Sequence, residues 1–257
     1  CNLIANAGEA VRNPYISCLK DKYKDVPTFI VANGPSLDRN IGQLKAIGGK
    51  GLIISVESAI VPLIKNGIKP DILTITERSK KTFTYHLENR AFPDDMALLG
   101  LALVDKQVFP SFTGAKIPIF RKGEAMNEWI NESLGDGSNI DGGSNVSHLA
   151  MELASYLGAN PIVFVGQDYA YGPEGATHSR DAAYYEQIGK ATRSFVESMS
   201  VVYVEGNDGS PIPTNQLWKD FKLGLEMKIM THPENLFLNA TEGGAKINGT
   251  KSMPLAE

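Results

Sequence analysis

The 257-residue sequence predicts an α/β fold, a mostly parallel sheet with helices on both faces. Three observations predict it. Short β-branched and aromatic runs alternate with helical spacing along the chain. Those runs are continuously apolar, as strands buried on both faces are. One stretch, Asp141–Asp168, presents helix, short loop and buried strand in direct succession. A composition of 42% hydrophobic and 21% charged residues is that of an ordinary globular protein. A chain this long buries roughly three quarters of its unfolded surface and needs no covalent staples.

Taken in order, residues 1–26 are polar and helix-like and end in the charged run Leu19–Asp25 before Pro27. Thr28–Ala32 reads as a strand that stops at Asn33-Gly34-Pro35-Ser36-Leu37. Gly51–Val56 is a second, running into Glu57-Ser58-Ala59 and the helical spacing of Ile60, Leu63 and Ile64. Asp71–Thr76 is a third, ending in Glu77-Arg78. Met96–Val104, nine apolar residues between Asp95 and Asp105, is the longest apolar stretch. It falls far short of the roughly 20 residues a membrane span needs and reads as a fourth strand, with Ile117–Phe120 as a fifth.

Ser144 is placed to cap the next helix, whose Val146, Leu149, Ala150, Leu153, Ala154 and Leu157 share one face before Gly158. Pro161–Val165 follows as a buried strand. Val201–Val204 reads as the last strand, Gln216–Met230 as a helix, and Asn239–Ala245 as a turn-rich loop. The organisation expected is a helical segment at 1–26, one catalytic domain over 27–250 with loop insertions, and a tail at 251–257. The first residue is Cys, so a piece of a longer polypeptide is expected.

Lys and Arg number 25 against 29 Asp and Glu, a net charge of −4. That argues against a broad nucleic-acid or anionic-membrane face, while a local anion pocket stays compatible with it. No signal-peptide order begins the chain. Cys1 and Cys18, the two cysteines, make neither a disulfide framework nor a zinc site, and a cytoplasmic location is expected. No two histidines have metal-ligand spacing, so no metal site is expected. There is no Asp-x-Asp loop after a strand and no Gly-x-Ser-x-Gly elbow.

In open α/β sheets the ligand lies at the carboxyl ends of the strands. The polar residues that land there are Asn33-Gly34, Glu57-Ser58, Glu77-Arg78 and Gln167-Asp168-Tyr169. Gly34 lets backbone approach a ligand, and exposed amides ahead of a helix favour phosphate. The loop lacks the three glycines of a dinucleotide fingerprint and the lysine of a P-loop. The plainer alternative is a strand-to-helix turn with Ser36 as N-cap. The run Gly166–Gly172 carries Asp168, Tyr169 and Tyr171, with Thr177-His178 soon after. Tyrosine hydroxyls can bond a leaving phosphate and a histidine can take a proton. The plainer alternative has both rings packed and His178 solvated. His148 is expected to cap or pack, and His86 and His232 carry no site.

Val31–Leu37, Thr74–Arg78, the block from Gly142-Gly143-Ser144-Asn145 through Gly158, Phe164–Tyr171 and Asn239–Gly249 together resemble the motility accessory factor family. The wider family includes enzymes similar to 6-hydroxymethylpterin diphosphokinase. The resemblance implies a Rossmann-like, sialyltransferase-like glycosyltransferase. Such an enzyme passes a nonulosonic sugar from a CMP-activated donor to Ser or Thr of a protein such as flagellin, with no cofactor required. It implies nucleotide contacts from Asn33, Gly34, Pro35, Ser36, Gly166 and Asp168, with Ala32 standing where the sialyltransferase motif has glycine. It implies phosphate contacts from Tyr169 and Tyr171, which Tyr meeting it being open, and a base at His178. Glu57, Glu77, Arg78, Ser144 and Asn145 are the expected substrate contacts. The alternatives are a Mg²⁺-dependent pterin diphosphokinase using ATP, with Asp168, Glu77 and Asp141 as metal candidates, or a nucleotide- or glycan-binding module without chemistry.

Overall fold

The computed structural model describes residues 1–135, 140–188 and 200–256. β1 (Thr28–Val31), β2 (Leu52–Val56), β3 (Ile72–Ile75), β4 (Ala97–Leu101), β5 (Lys116–Ile119) and β6 (Ile162–Val165) are almost wholly buried runs of aliphatic and aromatic residues. Strands of that composition need cover on both faces. The cover comes from helices between them, chiefly α2 (Leu37–Ile47), α3 (Ile60–Lys65), α4 (Lys80–His86), α5 (Ala125–Leu134) and α6 (Val146–Tyr156). The apolar face of α6 packs on β1, β2, β3 and β6.

The order across the sheet is β10-β9-β6-β1-β2-β3-β4-β5, where β9 is Phe237–Asn239 and β10 is Lys251–Ser252, and every pairing is parallel. The expected α/β class and parallel sheet are what the chain forms. Two expectations need correction. Val201–Val204 lies in β7 (Val201–Glu205), which leaves the main sheet and makes an antiparallel hairpin with β8 (Pro211–Asn215). Its side chains alternate between exposed and half-buried, the pattern of a ribbon covered on one side. The residues from 251, read as a tail, supply the edge strand β10; two residues are too short for any periodicity to announce.

The amino-terminal helix α1 (Asn2–Arg12) is docked on the far end of the sheet. Fully buried Asn6 donates to the carbonyls of Ala102 at 3.0 Å and Val104 at 2.9 Å. α7 (Ala183–Ile188) follows the His178 loop, and α8 (Gln216–Met230) leaves the hairpin with Asn215 as N-cap, accepting from the Trp218 N–H at 2.9 Å. Among the described residues, no helix is long and apolar enough to cross a membrane.

Candidate functional site

Strand order reverses at β1, where β2 follows on one side and β6 returns on the other. Val31 and Val165 are in register, so the loops after β1 and β6 face each other across the crevice in which open parallel sheets bind ligands. The loops touch. The Gly34 N–H donates to the Gly166 carbonyl at 2.8 Å, and a Cβ at Gly34 would stand 2.6 Å from that oxygen and collide with the Asp168 carboxylate. Gly166 turns with φ +66°, a left-handed conformation that side chains resist. Gly34→Ala is therefore expected to force the loops apart at a cost of about 1–3 kcal/mol or more. A thermal melt would show this as a midpoint lowered by several degrees; an unchanged midpoint would mean that the loops part freely.

Residues 34–37 of the turn do not offer their amides to phosphate, contrary to expectation. The Gly34 N–H is taken by Gly166, the Leu37 N–H by the Gly34 carbonyl at 3.1 Å, and Pro35 has none. The Ser36 N–H reaches Asp168 Oδ1 at 3.2 Å and its hydroxyl donates to Oδ2 at 2.7 Å. Ser36 is thus no side-chain N-cap. Asp168, 132 residues away, places its carboxylate where an anion would sit at the start of α2. Burial pushes the Asp168 carboxyl up to about 6, against the pull of the Ser36 bonds and the Arg39 charge.

What the loops do offer is side chains. Asn33, Gln167 and Tyr169 are each more than nine-tenths buried. Both polar atoms of the Asn33 amide, Oε1 of Gln167 and the Tyr169 hydroxyl make no well-formed hydrogen bond among the described residues. All three line one chamber of about 190 Å³ at the switch point. Buried polar groups are nearly always paired, so the unpaired amide atoms of Asn33 and Gln167, beside the Tyr169 hydroxyl, mark a place built for a polar ligand. Tyr169 adopts φ +48°, strain of the kind concentrated at functional sites. It is held there by a 2.7 Å bond from Thr214 Oγ1 to its carbonyl. Burial raises its hydroxyl above the ordinary phenol range, offset in part by nearby Asn145.

A second chamber of about 690 Å³ adjoins the first, with Asp168 and His178 lining both. Pro35, Ser36, Tyr171 and the Gly243-Gly244 turn form its walls, with Arg39 and Arg180 also lining it. Arg39 Nη1 donates to the Glu242 carbonyl at 2.7 Å, fastening the late glycine loop to α2. Asp38 fastens the His178 loop: its carboxylate accepts from Ser179 Oγ at 2.6 Å and from the Arg180 N–H at 3.2 Å. The His178 ring is half-buried between the two chambers, and burial pushes it down to about 4. It is neutral at physiological pH.

The expected residues divide accordingly. Asn33, Gly34, Gly166, Asp168, Tyr169, Asn145 and His178 meet at the smaller chamber, whereas Pro35, Ser36 and Tyr171 meet at the larger. The two tyrosines point to different chambers, and the Tyr171 hydroxyl accepts from Asn215 Nδ2 at 3.1 Å. Asn145, and not Ser144, caps α6, accepting the His148 N–H at 3.0 Å. His148 both packs and bonds, taking the Ser144 N–H on Nδ1 at 3.3 Å and meeting the Phe221 carbonyl through Nε2 at 2.9 Å. Glu57 lies at the end of β2 behind the chamber wall, which Ser58 forms. Burial, with Glu77 nearby, pushes the Glu57 carboxyl up to about 8. Glu77 and Arg78 are exposed and line neither chamber. Asp141 is taken by Lys228 at 2.7 Å.

Sequence reasoning passed over Trp218 and Phe221 at the smaller chamber and Arg39 and Arg180 at the larger, and it gave no site role to Thr177 or Gly243-Gly244. The pair Trp218 and Phe221, three apart at the start of a helix, was the one available signal.

A doubly wound parallel sheet with polar side chains converging at its switch point defines a Rossmann-like ligand-binding protein. The family model described as 6-hydroxymethylpterin diphosphokinase MptE-like matches residues 1–174, and the chain belongs to that family. In structure it is similar to the MAf glycosyltransferase from Magnetospirillum magneticum AMB-1, with a TM-score of 0.76 and 20% identity, covering 99% of this chain. This chain spans 38% of the length of that protein, and a likeness at that identity establishes the shared fold. No curated protein matches the chain.

Proposed function

We propose that this chain is a glycosyltransferase domain that moves a nonulosonic, sialic-acid-like sugar from a CMP-activated donor to a Ser or Thr hydroxyl of an acceptor protein such as flagellin. The observation that carries the reading is the unpaired amide atoms of Asn33 and Gln167 at the switch point, beside the Tyr169 hydroxyl and His178. The motif order resembling motility accessory factors and the fold shared with a protein named as a glycosyltransferase support it. In this reading the smaller chamber takes the hydrogen-bonding part of the nucleotide. The larger, with Arg39 and Arg180 in its walls, takes the acidic sugar and the acceptor.

Donor cleavage breaks the bond between the anomeric carbon and the phosphate oxygen, the acceptor hydroxyl oxygen bonds that carbon, and the hydroxyl proton leaves on the departing CMP phosphate. Positive charge develops on the sugar and negative charge on CMP. Neutral donors fixed in a dry chamber, here the Asn33 amide and the Tyr169 hydroxyl, stabilise that developing charge without first having to reorganise. His178, between the chambers, touches the transferred group, and Tyr171 lines the sugar side. The chemistry requires no cofactor.

The family description favours a second reading, Mg²⁺-dependent diphosphoryl transfer to a pterin. Its three candidate carboxylates do not converge. Asp168 holds Ser36, Asp141 holds Lys228, and Glu77 accepts the Ser79 N–H at 3.0 Å. Thermal melting with CMP, CDP, UDP and ATP, each with and without Mg²⁺, separates the readings. Metal-independent stabilisation by CMP is expected, by about 2.7 kcal/mol at a hundredfold excess over Kd. Stabilisation by ATP with Mg²⁺ alone would overturn the glycosyltransferase reading. Binding of CMP without turnover of a CMP-nonulosonate would leave a binding module.

A further inference from the structure

His178 sits in a hydrogen-bond chain whose directions can be worked out. The Tyr185 hydroxyl oxygen faces the backbone N–H groups of Thr177 at 3.1 Å and His178 at 3.2 Å. Both can only donate, so they take both lone pairs of that oxygen. Its own proton must go outward, and Thr177 Oγ1, at 3.2 Å, is its one remaining partner among the described residues. Thr177 Oγ1 then accepts from Tyr185, and its hydroxyl proton has one remaining acceptor, Nδ1 of His178 at 2.9 Å. An imidazole whose Nδ1 accepts carries its proton on Nε2 when neutral. Nε2 has no protein partner among the described residues, and His178 lines both chambers.

We propose that His178 meets its ligand as a hydrogen-bond donor through Nε2–H, toward an oxygen of a phosphate, carboxylate or carbonyl, and that Thr177 and Tyr185 are the positioning residues that impose this polarity. The resemblance implies a base at this position; the chain of donors gives the opposite sense. Burial keeps the ring neutral, so the donor is uncharged, and Tyr184 packs over it with ring centres 5.3 Å apart. The assignment deepens the proposed reading of the site and rests on it only for the identity of the ligand.

The test is long-range proton–nitrogen NMR on the full chain carrying ¹⁵N-histidine, near pH 7, with the signals of His178 identified by their loss in His178→Gln. The expected result is a single Nε2–H form at limiting nitrogen shifts, favoured by roughly tenfold, the bias that one neutral hydrogen bond supports. Thr177→Val should move both shifts toward the averaged values of a free imidazole, while Thr177→Ser should keep the parent values. Tyr185→Phe should reduce the bias. An Nδ1–H form in the parent protein, or shifts unchanged by Thr177→Val, would overturn the proposal. Addition of CMP distinguishes the two layers. Expected tautomers with no CMP-induced rise in the melting midpoint would sink the nucleotide reading while the polarity assignment stood.

Discussion

Asn33→Leu is expected to weaken nucleotide binding by roughly tenfold to a hundredfold while leaving the chain at least as stable as the parent. Both polar atoms of the Asn33 amide are buried without partners, and each such group costs about 1–3 kcal/mol to bury. A leucine of similar size fills the space with no polar atom to satisfy. The backbone at this position keeps its role, because the Ser179 N–H donates to the Asn33 carbonyl at 3.0 Å whatever the side chain. Stability therefore does not explain the amide, and ligand recognition does. The measurement is a pair of melts, without ligand and with CMP. The midpoint without ligand should hold or rise, and the CMP-induced shift should shrink by about half or more, a loss of roughly tenfold to a hundredfold in affinity. A collapse of the melt without ligand would show that Asn33 serves the fold. A CMP shift equal to the parent's would remove it from the site.

Asp168→Asn should raise the melting midpoint at alkaline pH and abolish transfer. The sign follows from linkage. Burial raises the Asp168 carboxyl from its usual value near 3.8 to about 6 in the folded chain. Between those values the folded state holds a proton that the unfolded state has released, so stability falls as pH rises through that window. Above about pH 6 the full penalty is present, on the order of 3 kcal/mol. Asparagine removes that penalty and still bonds Ser36, since the hydroxyl that donated to Oδ2 can accept from Nδ2 instead. The gain over the parent should be a few degrees at pH 8 and disappear near pH 4. A variant less stable than the parent at pH 8 would show that the carboxylate's bonds to Ser36 outweigh its desolvation. The charge is retained at this cost because it stands at the junction of both chambers, a functional site that is not optimised for stability.

Much of the scaffold was legible because it rests on local pattern. Aliphatic runs such as Leu52–Val56 and Ile162–Val165 are unmistakable, and Gln216–Met230 is a helix over the full expected span. Asn33, Asp168 and Tyr169 could be placed at the crevice because they directly follow such runs. The rest was hidden for identifiable reasons. β9 and β10 have three and two residues, too few for a period to show. Val201–Glu205 has the composition of a sheet strand, yet its partner is the neighbouring Pro211–Asn215. Glu77 and Arg78 follow a strand just as Asn33 does, but β3 is two strands removed from β1, and Glu57 misses the chamber because its neighbours Val56 and Ser58 line it instead.

Burial and periodicity act over a few neighbours, so the amino-acid order alone announces the class of fold, the buried strands β1 to β6 and the polar residues at their ends. What those residues can do depends on which distant groups the folded chain brings to them. Ser36 looks like a helix cap until Asp168 arrives from 132 positions away to take both its donors. His178 looks like a free base until Tyr185 and Thr177 orient its proton. A hydrogen bond has a direction and a fixed number of partners, and which partners are left over is known only when the distant loops have met.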